Sequence, residues 1–330
     1  MRETNPTVSR GLIQRVNAFS KLRVLVVGDL VADHYLYVQT ERVSREAPVL
    51  IVSYEREEVK LGGAANAAAN ARSLGAQVTA LGVLGPDPMG QTLAKLFRAA
   101  GIGLKAVRDA HTQTKTRILA GGVSTTRQQM LRIDRGSQGT LPLRVRRALA
   151  QRLQTALARC DIAVVSDYGA GVVCDETRQV LRSWAKKGGR VCADSRYALH
   201  TLEGLTVCKP NEPELGALTG LPVASDAQLT AAAALALERL DCEILLVTRG
   251  KSGMAVFERG KPAVFLPVYG VADAVDVTGA GDTVIASFAL ALGAGASPSD
   301  AARIANIAGG LVVQKPGTAS ITTQELLGEL

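Results

Sequence analysis

A chain of 330 residues exceeds the ~100–200 residues of a typical domain, which points to one large domain with an appendage and excludes a repeat peptide or a stapled mini-protein. Hydrophobic residues make up 47% and charged residues 21%, which excludes global disorder, and the 4% aromatic share suits parallel strands and small-residue helices better than an aromatic-cored sandwich. The net charge of +8 is concentrated between Lys105 and Arg152, where 11 Lys and Arg face 2 Asp, so the rest of the chain is close to neutral.

In chain order, Met1–Arg10 has Arg2 and Glu3 but no apolar run, so no secretory signal is predicted and the chain is expected in the cytoplasm. A strand over Arg23–Val27 comes first, and at 31–60 short alternating segments interrupt the pattern. A helix near 64–74, a strand at Gln77–Leu81 and a helix near 88–100 follow, and a second interruption spans 103–134. Helices are then predicted near 143–159, 175–187 and 226–239, with strands at Ile162–Ser166, Arg190–Ala193, Leu205–Cys208 and Ile244–Thr248. Ser225 and Gln228 form a capping box for the helix at 226, and Ser297, Pro298 and Asp300 mark another helix start. The apolar run Val284–Ala296, 13 residues long, falls short of the ~20 needed to cross a bilayer and reads as a buried helix.

This alternation predicts an α/β fold, a doubly wound, mainly parallel sheet flanked by helices, with the segments near 31–60 and 103–134 forming a small β-sheet lid. With no repeat or linker, residues 1–330 read as a single domain. Five cysteines without a Cys-x-x-Cys pair and three scattered histidines give no sign of a disulfide framework or a zinc site. Within the basic stretch, Arg144, Arg146, Arg147 and Arg152 read as a solvated helix face. Lys115, Arg117, Arg127 and Arg132 lie in extended segments where a phosphate could be received. Nucleic acid is not expected, because no aromatic residues are interleaved with these charges.

Four segments carry chemistry. In Asp276-Val277-Thr278-Gly279-Ala280-Gly281-Asp282-Thr283, small residues before an apolar helix leave N–H groups at 279–282 to face an anion, with the positive helix end behind them. Asp282, in the first turn, could take a proton from an attacking hydroxyl, or simply cap its helix; a free carboxylate near ~3.9 must act as the bond forms. In Leu61-Gly62-Gly63-Ala64-Ala65-Asn66, glycines again open a helix, either to admit a ligand near Asn66 or to pack an Ala-rich helix, while Gly28-Asp29 ends the first strand and Asp33 follows it. Asn211 and Glu214 of Lys209-Pro210-Asn211-Glu212-Pro213-Glu214 suit Mg²⁺ held through water, or a capping box, or both. Val247-Thr248-Arg249-Gly250 ends a strand where nucleotide phosphates could sit. The glycine spacings complete neither a dinucleotide fingerprint nor a P-loop.

GGAANAAANARSLGA and DVTGAGDTVIASF resemble the two signatures of the ribokinase-like (PfkB) carbohydrate kinases, and the similarity runs from about Leu22 to Thr322. GDLVADHYLY, SREAPVLIVSYE, KTRIL, QQMLRID, SDYGAG, VTRGKSGM and VQKPGTASIT resemble, within that family, the heptose 7-phosphate kinases of lipopolysaccharide precursor synthesis. The resemblance implies an ATP-dependent, Mg²⁺-dependent kinase acting on the anomeric hydroxyl of a heptose 7-phosphate. Asp282 would be its base and Gly279, Ala280 and Gly281 its anion hole, with Asp33, Gly62, Gly63 and Asn66 on the sugar. Asn211 and Glu214 would organise magnesium, Thr248, Gly250 and Asn306 would line the nucleotide, and Asp276 and Thr278 match a monovalent-cation site for K⁺. Lys115, Arg117 and Arg132 are the candidates for the substrate's own phosphate, and a homodimer through the lid is implied. Another sugar or sugar phosphate, or a non-catalytic sugar- or nucleotide-binding regulator, are the alternatives. Ala193-Asp194-Ser195-Arg196-Tyr197 departs from the Asp-Pro-Lys-Gly-like turn of the heptose kinases, and with no His-x-x-His pair a nucleotidyltransferase domain is not expected.

Overall fold

Apolar residues on both faces of a strand demand cover on both sides, and Arg23–Gly28 (β1) has them: Val24 and Val26 point into one core, Leu25 and Val27 into the other. A computed structural model describes residues 6–109, 111–121, 127–136, 139–270 and 274–330, with side chains from Arg10 onward. Positions 110 and 122–126 of the predicted lid, and 1–5 of the segment inspected for a signal, lie outside the described residues.

Leu30–Val43 (β2) and Leu50–Gly63 (β3) follow β1, then Gln77–Leu84 (β4), Gly103–Arg108 (β5), Gln113–Gly121 (β6) and Gln128–Arg135 (β7). Ile162–Asp167 (β8), Val191–Ser195 (β9), Val207–Cys208 (β10), Ile244–Thr248 (β11), Met254–Glu258 (β12) and Val264–Leu266 (β13) complete the strands. The large sheet has the order β13-β12-β11-β10-β9-β8-β1-β4-β5; β11 through β5 run parallel, and β12 and β13 are antiparallel additions at one edge. Helices Pro6–Asn17 (α1), Ala64–Ser73 (α2) and Pro88–Ala99 (α3) cover one face, and Leu143–Leu157 (α4) and Asp175–Ala185 (α5) the other. Glu212–Thr219 (α6) and Asp226–Arg239 (α7) join the second group, while Ala280–Gly293 (α8), Pro298–Val312 (α9) and Thr323–Leu327 (α10) join the first. The predicted doubly wound architecture is therefore present.

The lid is a separate four-stranded sheet of order β3-β2-β6-β7, in which β2 and β6 run parallel. It begins later than predicted in the second segment, because β5 pairs with β4 in the large sheet. As an edge strand β5 alternates exposed and covered residues, the same pattern a lid strand shows. The capping box at Ser225 is only half formed: its Oγ accepts from the Gln228 N–H at 3.3 Å, but Gln228 Oε1 takes the Ala224 N–H instead. At α9, Ser297 caps as predicted, accepting the Asp300 N–H at 3.2 Å, with Pro298 in the first turn. The run from Val284 lies in α8, buried along Asp282–Leu292, and among the described residues no helix is long and apolar enough to cross a membrane.

Strand order reverses at β1, whose neighbours are β4 on one side and β8 on the other, and ligands of open α/β sheets bind beyond the carboxyl ends of strands at such a point. There the Asp29 carboxylate accepts the N–H groups of Tyr168, Ala170 and Val172 at 2.8, 3.0 and 3.3 Å and fixes the loop that follows β8. Burial, with Asp167 beside it, raises the Asp29 carboxyl to about 6 against these three donors. Asp29→Ala strands three buried donors and is expected to cost about 2–4 kcal/mol, measured by urea unfolding at pH 7.5; an unchanged midpoint would contradict this role.

Candidate active site

The first turn of α8 carries Asp282 inward, where it is 2% exposed. Gly279 makes this entry possible: its φ of +77° turns the chain into the helix, and a Cβ there would lie 2.4 Å from Asn66 Nδ2. That closeness lets Asn66 of α2 donate to Asp282 Oδ2 at 2.9 Å. Two further donors converge on Oδ1, the Tyr168 hydroxyl at 3.0 Å and the Ser166 hydroxyl at 3.3 Å. Behind them Asn70 Nδ2 donates to Asn66 Oδ1 at 3.1 Å and Thr283 Oγ1 to Asn70 Oδ1 at 2.9 Å, so the amide orientations are set from α2 to α8.

Burial raises the Asp282 carboxyl to about 7; Asn66, Tyr168 and Lys209 oppose the rise and Asp194 adds to it. The carboxylate thus differs from the ordinary ~3.9 group assumed from sequence, and a base poised near neutral pH is more effective at accepting a proton. Burial, then the neighbouring Asp282, keeps the Tyr168 phenol protonated far above its ordinary range. The anion-facing amides are fewer than the sequence implied. Ala280 N–H is turned back onto Val277 O at 3.2 Å, whereas Gly281 and Asp282 stand in the first helical turn, whose N–H groups lack intrahelical acceptors.

A cavity of ≈ 1020 Å³ opens beside this turn, lined by Ala280 and Gly281 together with Asn211, Glu214, Thr248, Gly250 and Asn306. The structure thus brings the sequence-predicted nucleotide residues to one concavity. Asn211 and Glu214 form a reciprocal capping box, each accepting the other's N–H at 2.8 Å, and burial raises the Glu214 carboxyl. Among the described residues no cluster of three His, Cys, Asp or Glu could cage a metal; this pair fits a cation that keeps most of its own water. Asn306 Nδ2 donates to Pro267 O at 2.7 Å, which fixes the cavity wall. Asp276 accepts the N–H groups of Thr278 and Gly317 at 2.8 and 2.9 Å, tying its loop to the segment after α9. Burial works to raise its carboxyl, but these hydrogen bonds hold it below the ordinary range, ionised and able to face a cation.

Several predicted sugar residues have other partners. Asn66 spends its amide on Asp282 and Asn70, which makes it a positioning group for the carboxylate rather than an open gripper of hydroxyls. Asp33 lies on β2 opposite Lys60 and Lys115, pressed so close to Gly62 that a Cβ there would meet Asp33 Oδ2 at 2.4 Å; Gly63 caps α2 behind it. Arg117 Nη1 donates to Asp33 Oδ1 at 2.5 Å, and Arg132 is held by Asp134 on its own strand at 2.9 Å, so neither guanidinium is free. Sequence reasoning missed Ser166, Tyr168, Asp194 and Lys209. Lys209 pairs with Asp194 at 2.8 Å, buried on the cavity wall beside Gly281. All four sit at or just past the carboxyl ends of β8, β9 and β10, a location that strand prediction alone could have flagged.

Residues 21–325 match the model for the pfkB family of carbohydrate kinases. The bifunctional protein HldE of Syntrophotalea carbinolica is 38% identical over 312 residues, 92% of this chain and 62% of that protein. HldE of Mesorhizobium japonicum is 36% identical over 337 residues, 100% of this chain and 66% of that protein, so the chain spans somewhat under two thirds of the length of these relatives. Arabidopsis thaliana ribokinase, solved with ribose and ATP, superposes with a TM-score of 0.72 at 23% identity, covering 93% of this chain and 98% of that one. Escherichia coli phosphofructokinase-2, solved with substrates and products, gives 0.75 at 20% identity over 94% and 99%. The match of the family model across nearly the whole sequence, on a fold shared with sugar kinases, places this protein in the pfkB family of carbohydrate kinases, phosphotransferases that act on a sugar hydroxyl.

Proposed function

We propose that the protein transfers the γ-phosphoryl group of ATP to the anomeric hydroxyl of D-glycero-D-manno-heptose 7-phosphate, giving the 1,7-bisphosphate and ADP. The observation that carries this reading is the buried Asp282 carboxylate at the amino end of α8, next to Ala280 and Gly281 of the large cavity's wall. The similarity to HldE along 92% of the chain supports the choice of acceptor. Asp282 takes the hydroxyl proton as the new O–P bond forms and the bond to the ADP oxygen breaks. Gly281 and Asp282 N–H groups and the helix end stabilise the charge on the moving phosphoryl oxygens. Lys209, fixed by Asp194, adds a positive charge from the same wall. Thr248, Gly250 and Asn306 hold the nucleotide, and Asn211 and Glu214 hold Mg²⁺ through water. Mg²⁺ supplies neutralisation of the nucleotide's phosphate charge. Asp276 and Thr278 form the K⁺ site, with the segment around Gly317.

Activity should rise with pH through about 7 as Asp282 ionises. Tyr168→Phe removes a donor to the carboxylate and moves that limb to higher pH. Asp282→Asn should lower kcat by about 10²–10⁴. Its stability effect has a definite sign: the folded carboxyl binds its proton more tightly than the unfolded one, so Asp282 favours folding least above pH 7 and its cost fades as pH falls from about 7 toward 3.8. Asp282→Asn should therefore be more stable than the parent at pH 8, by a margin that shrinks at pH 5; near-normal turnover, or a margin growing toward acid, would contradict the assignment.

A coupled ADP assay over a panel of sugars and sugar phosphates should show the highest kcat/KM with the heptose 7-phosphate. Run in K⁺, Na⁺ and choline salts, the rate should be greatest in K⁺. A better sugar would reassign the acceptor, equal rates in all three salts would remove the K⁺ site, and no ADP with any acceptor would favour a binding regulator.

The lid exposes Leu50, Val52 and Tyr54 on β3 and Met130, Leu131 and Ile133 on β7, which supports pairing of two lids in a homodimer. Light scattering should give twice 34.5 kDa, and Leu131→Asp with Ile133→Asp should give the monomer; a parent that scatters as the monomer would refute the pairing.

A further inference from the structure

A second, smaller cavity of ≈ 380 Å³ lies beyond Tyr168, between the lid strands β6 and β7 and the loops after β8 and β9. Tyr168 and Arg196 line both cavities. The smaller one carries Lys115, Arg132, Arg135 and Arg196 against Asp29 and Asp134. Both carboxylates are already engaged: Asp29 takes three backbone N–H groups, and Asp134 pairs with Arg132. Among the described residues Lys115, Arg135 and Arg196 have no carboxylate within ion-pairing distance. Three cations facing one hollow repel one another unless an anion sits among them.

Their placement is fixed by the fold. Ser195 Oγ donates to Asp167 Oδ2 at 2.6 Å and the Arg196 N–H to Asp167 O at 3.1 Å, so the backbone under the Arg196 guanidinium is tied to β8. Lys115 Nζ stands 4.8 Å from the centre of the Tyr168 ring, whose hydroxyl touches Asp282 at 3.0 Å. Lys115 thus lies over the face of the ring whose hydroxyl bonds the base, so the smaller cavity adjoins Asp282 through Tyr168. Burial lowers the Lys115 ammonium and Arg117 pushes the same way, with Asp33 opposing; a phosphate dianion would restore it.

We propose that this cavity binds the phosphate that the acceptor already carries, through Arg196 and Arg135 with Lys115, in place of the Arg117 and Arg132 suggested by the sequence. The assignment rests on the reading of the protein as a sugar-phosphate kinase and names the residues that select a phosphorylated acceptor. Arg196 lies in the turn that departs from the heptose kinase pattern, so the departure keeps a cation at the acceptor site.

Steady-state kinetics on the full chain, with heptose 7-phosphate and with the unphosphorylated heptose, test it. Arg196→Ala and Arg135→Ala should each raise KM for the phosphorylated acceptor by about ten- to a hundredfold. In Arg135→Ala, which lines the smaller cavity alone, KM for ATP and the rate with the unphosphorylated heptose should change less than about threefold, within ordinary surface effects. Arg196→Lys should recover part of the loss, and inorganic phosphate should compete with the sugar phosphate in the parent more strongly than in Arg196→Ala. Arg147→Ala, on the exposed face of α4, controls for the loss of one charge. A rise in KM for ATP instead in Arg135→Ala, or equal losses with both acceptors, would overturn the assignment while leaving the kinase reading intact. If the parent uses another phosphorylated sugar, the same comparison is read on that acceptor. If it prefers acceptors without phosphate, the phosphate site is refuted; if it phosphorylates nothing, the functional reading fails with it.

Discussion

The rest of the site depends on one buried carboxylate that is charged at a cost. Asp282 loses its water to α2, β8 and the cavity floor, and the donors from Asn66, Tyr168 and Ser166, with the Lys209 charge, offset part of that loss. The balance leaves it ionising near neutral pH, where a carboxylate is both available and basic enough to accept a proton during a reaction. An exposed aspartate at the same helix start would be fully ionised and far weaker as a base, stabilised by the helix end it caps.

The topology brings these groups together from distant parts of the chain. Asn66 follows the lid strand β3, Ser166 and Tyr168 lie at and just past the end of β8, and Asp282 opens α8 after the last strand, so the three segments meet from distant parts of the chain. Asp29 and Asp167 sit beneath them and hold two loops by their backbones, one bearing Tyr168 and the other Arg196. Small residues are needed where these segments converge. The alanines of α2 bring that helix against the sheet and α8, and Gly279 leaves room for the Asn66 amide.

Much of this was legible in the sequence. Buried parallel strands and amphipathic helices announce themselves by apolar runs and period, and the predicted strands and helices lie within a few residues of those observed. The glycine-rich starts of α2 and α8 were readable as ligand-facing because few other features require such small residues. The rest depended on pairing, which no local pattern encodes. Strand β5 looked like lid because an edge strand alternates as a lid strand does, and β12 and β13 extend the sheet by antiparallel pairing without a distinctive signal. Asn66 was assigned to the sugar because its partner, Asp282, lies 216 residues away. Arg117 and Arg132 looked free because nothing local reveals that Asp33 and Asp134 neutralise them, while Tyr168 and Arg196 gain their place only when β8 and β9 lie side by side.

The account stands or falls on where the reacting hydroxyl lies relative to Asp282. A crystal structure of the protein with a non-hydrolysable ATP analogue and heptose 7-phosphate measures this directly. The account requires the anomeric oxygen within about 3.2 Å of an Asp282 carboxylate oxygen, with the terminal phosphorus of the nucleotide on the Gly281 side of it. An acceptor bound with no hydroxyl near Asp282, while nucleotide fills the large cavity, would contradict it.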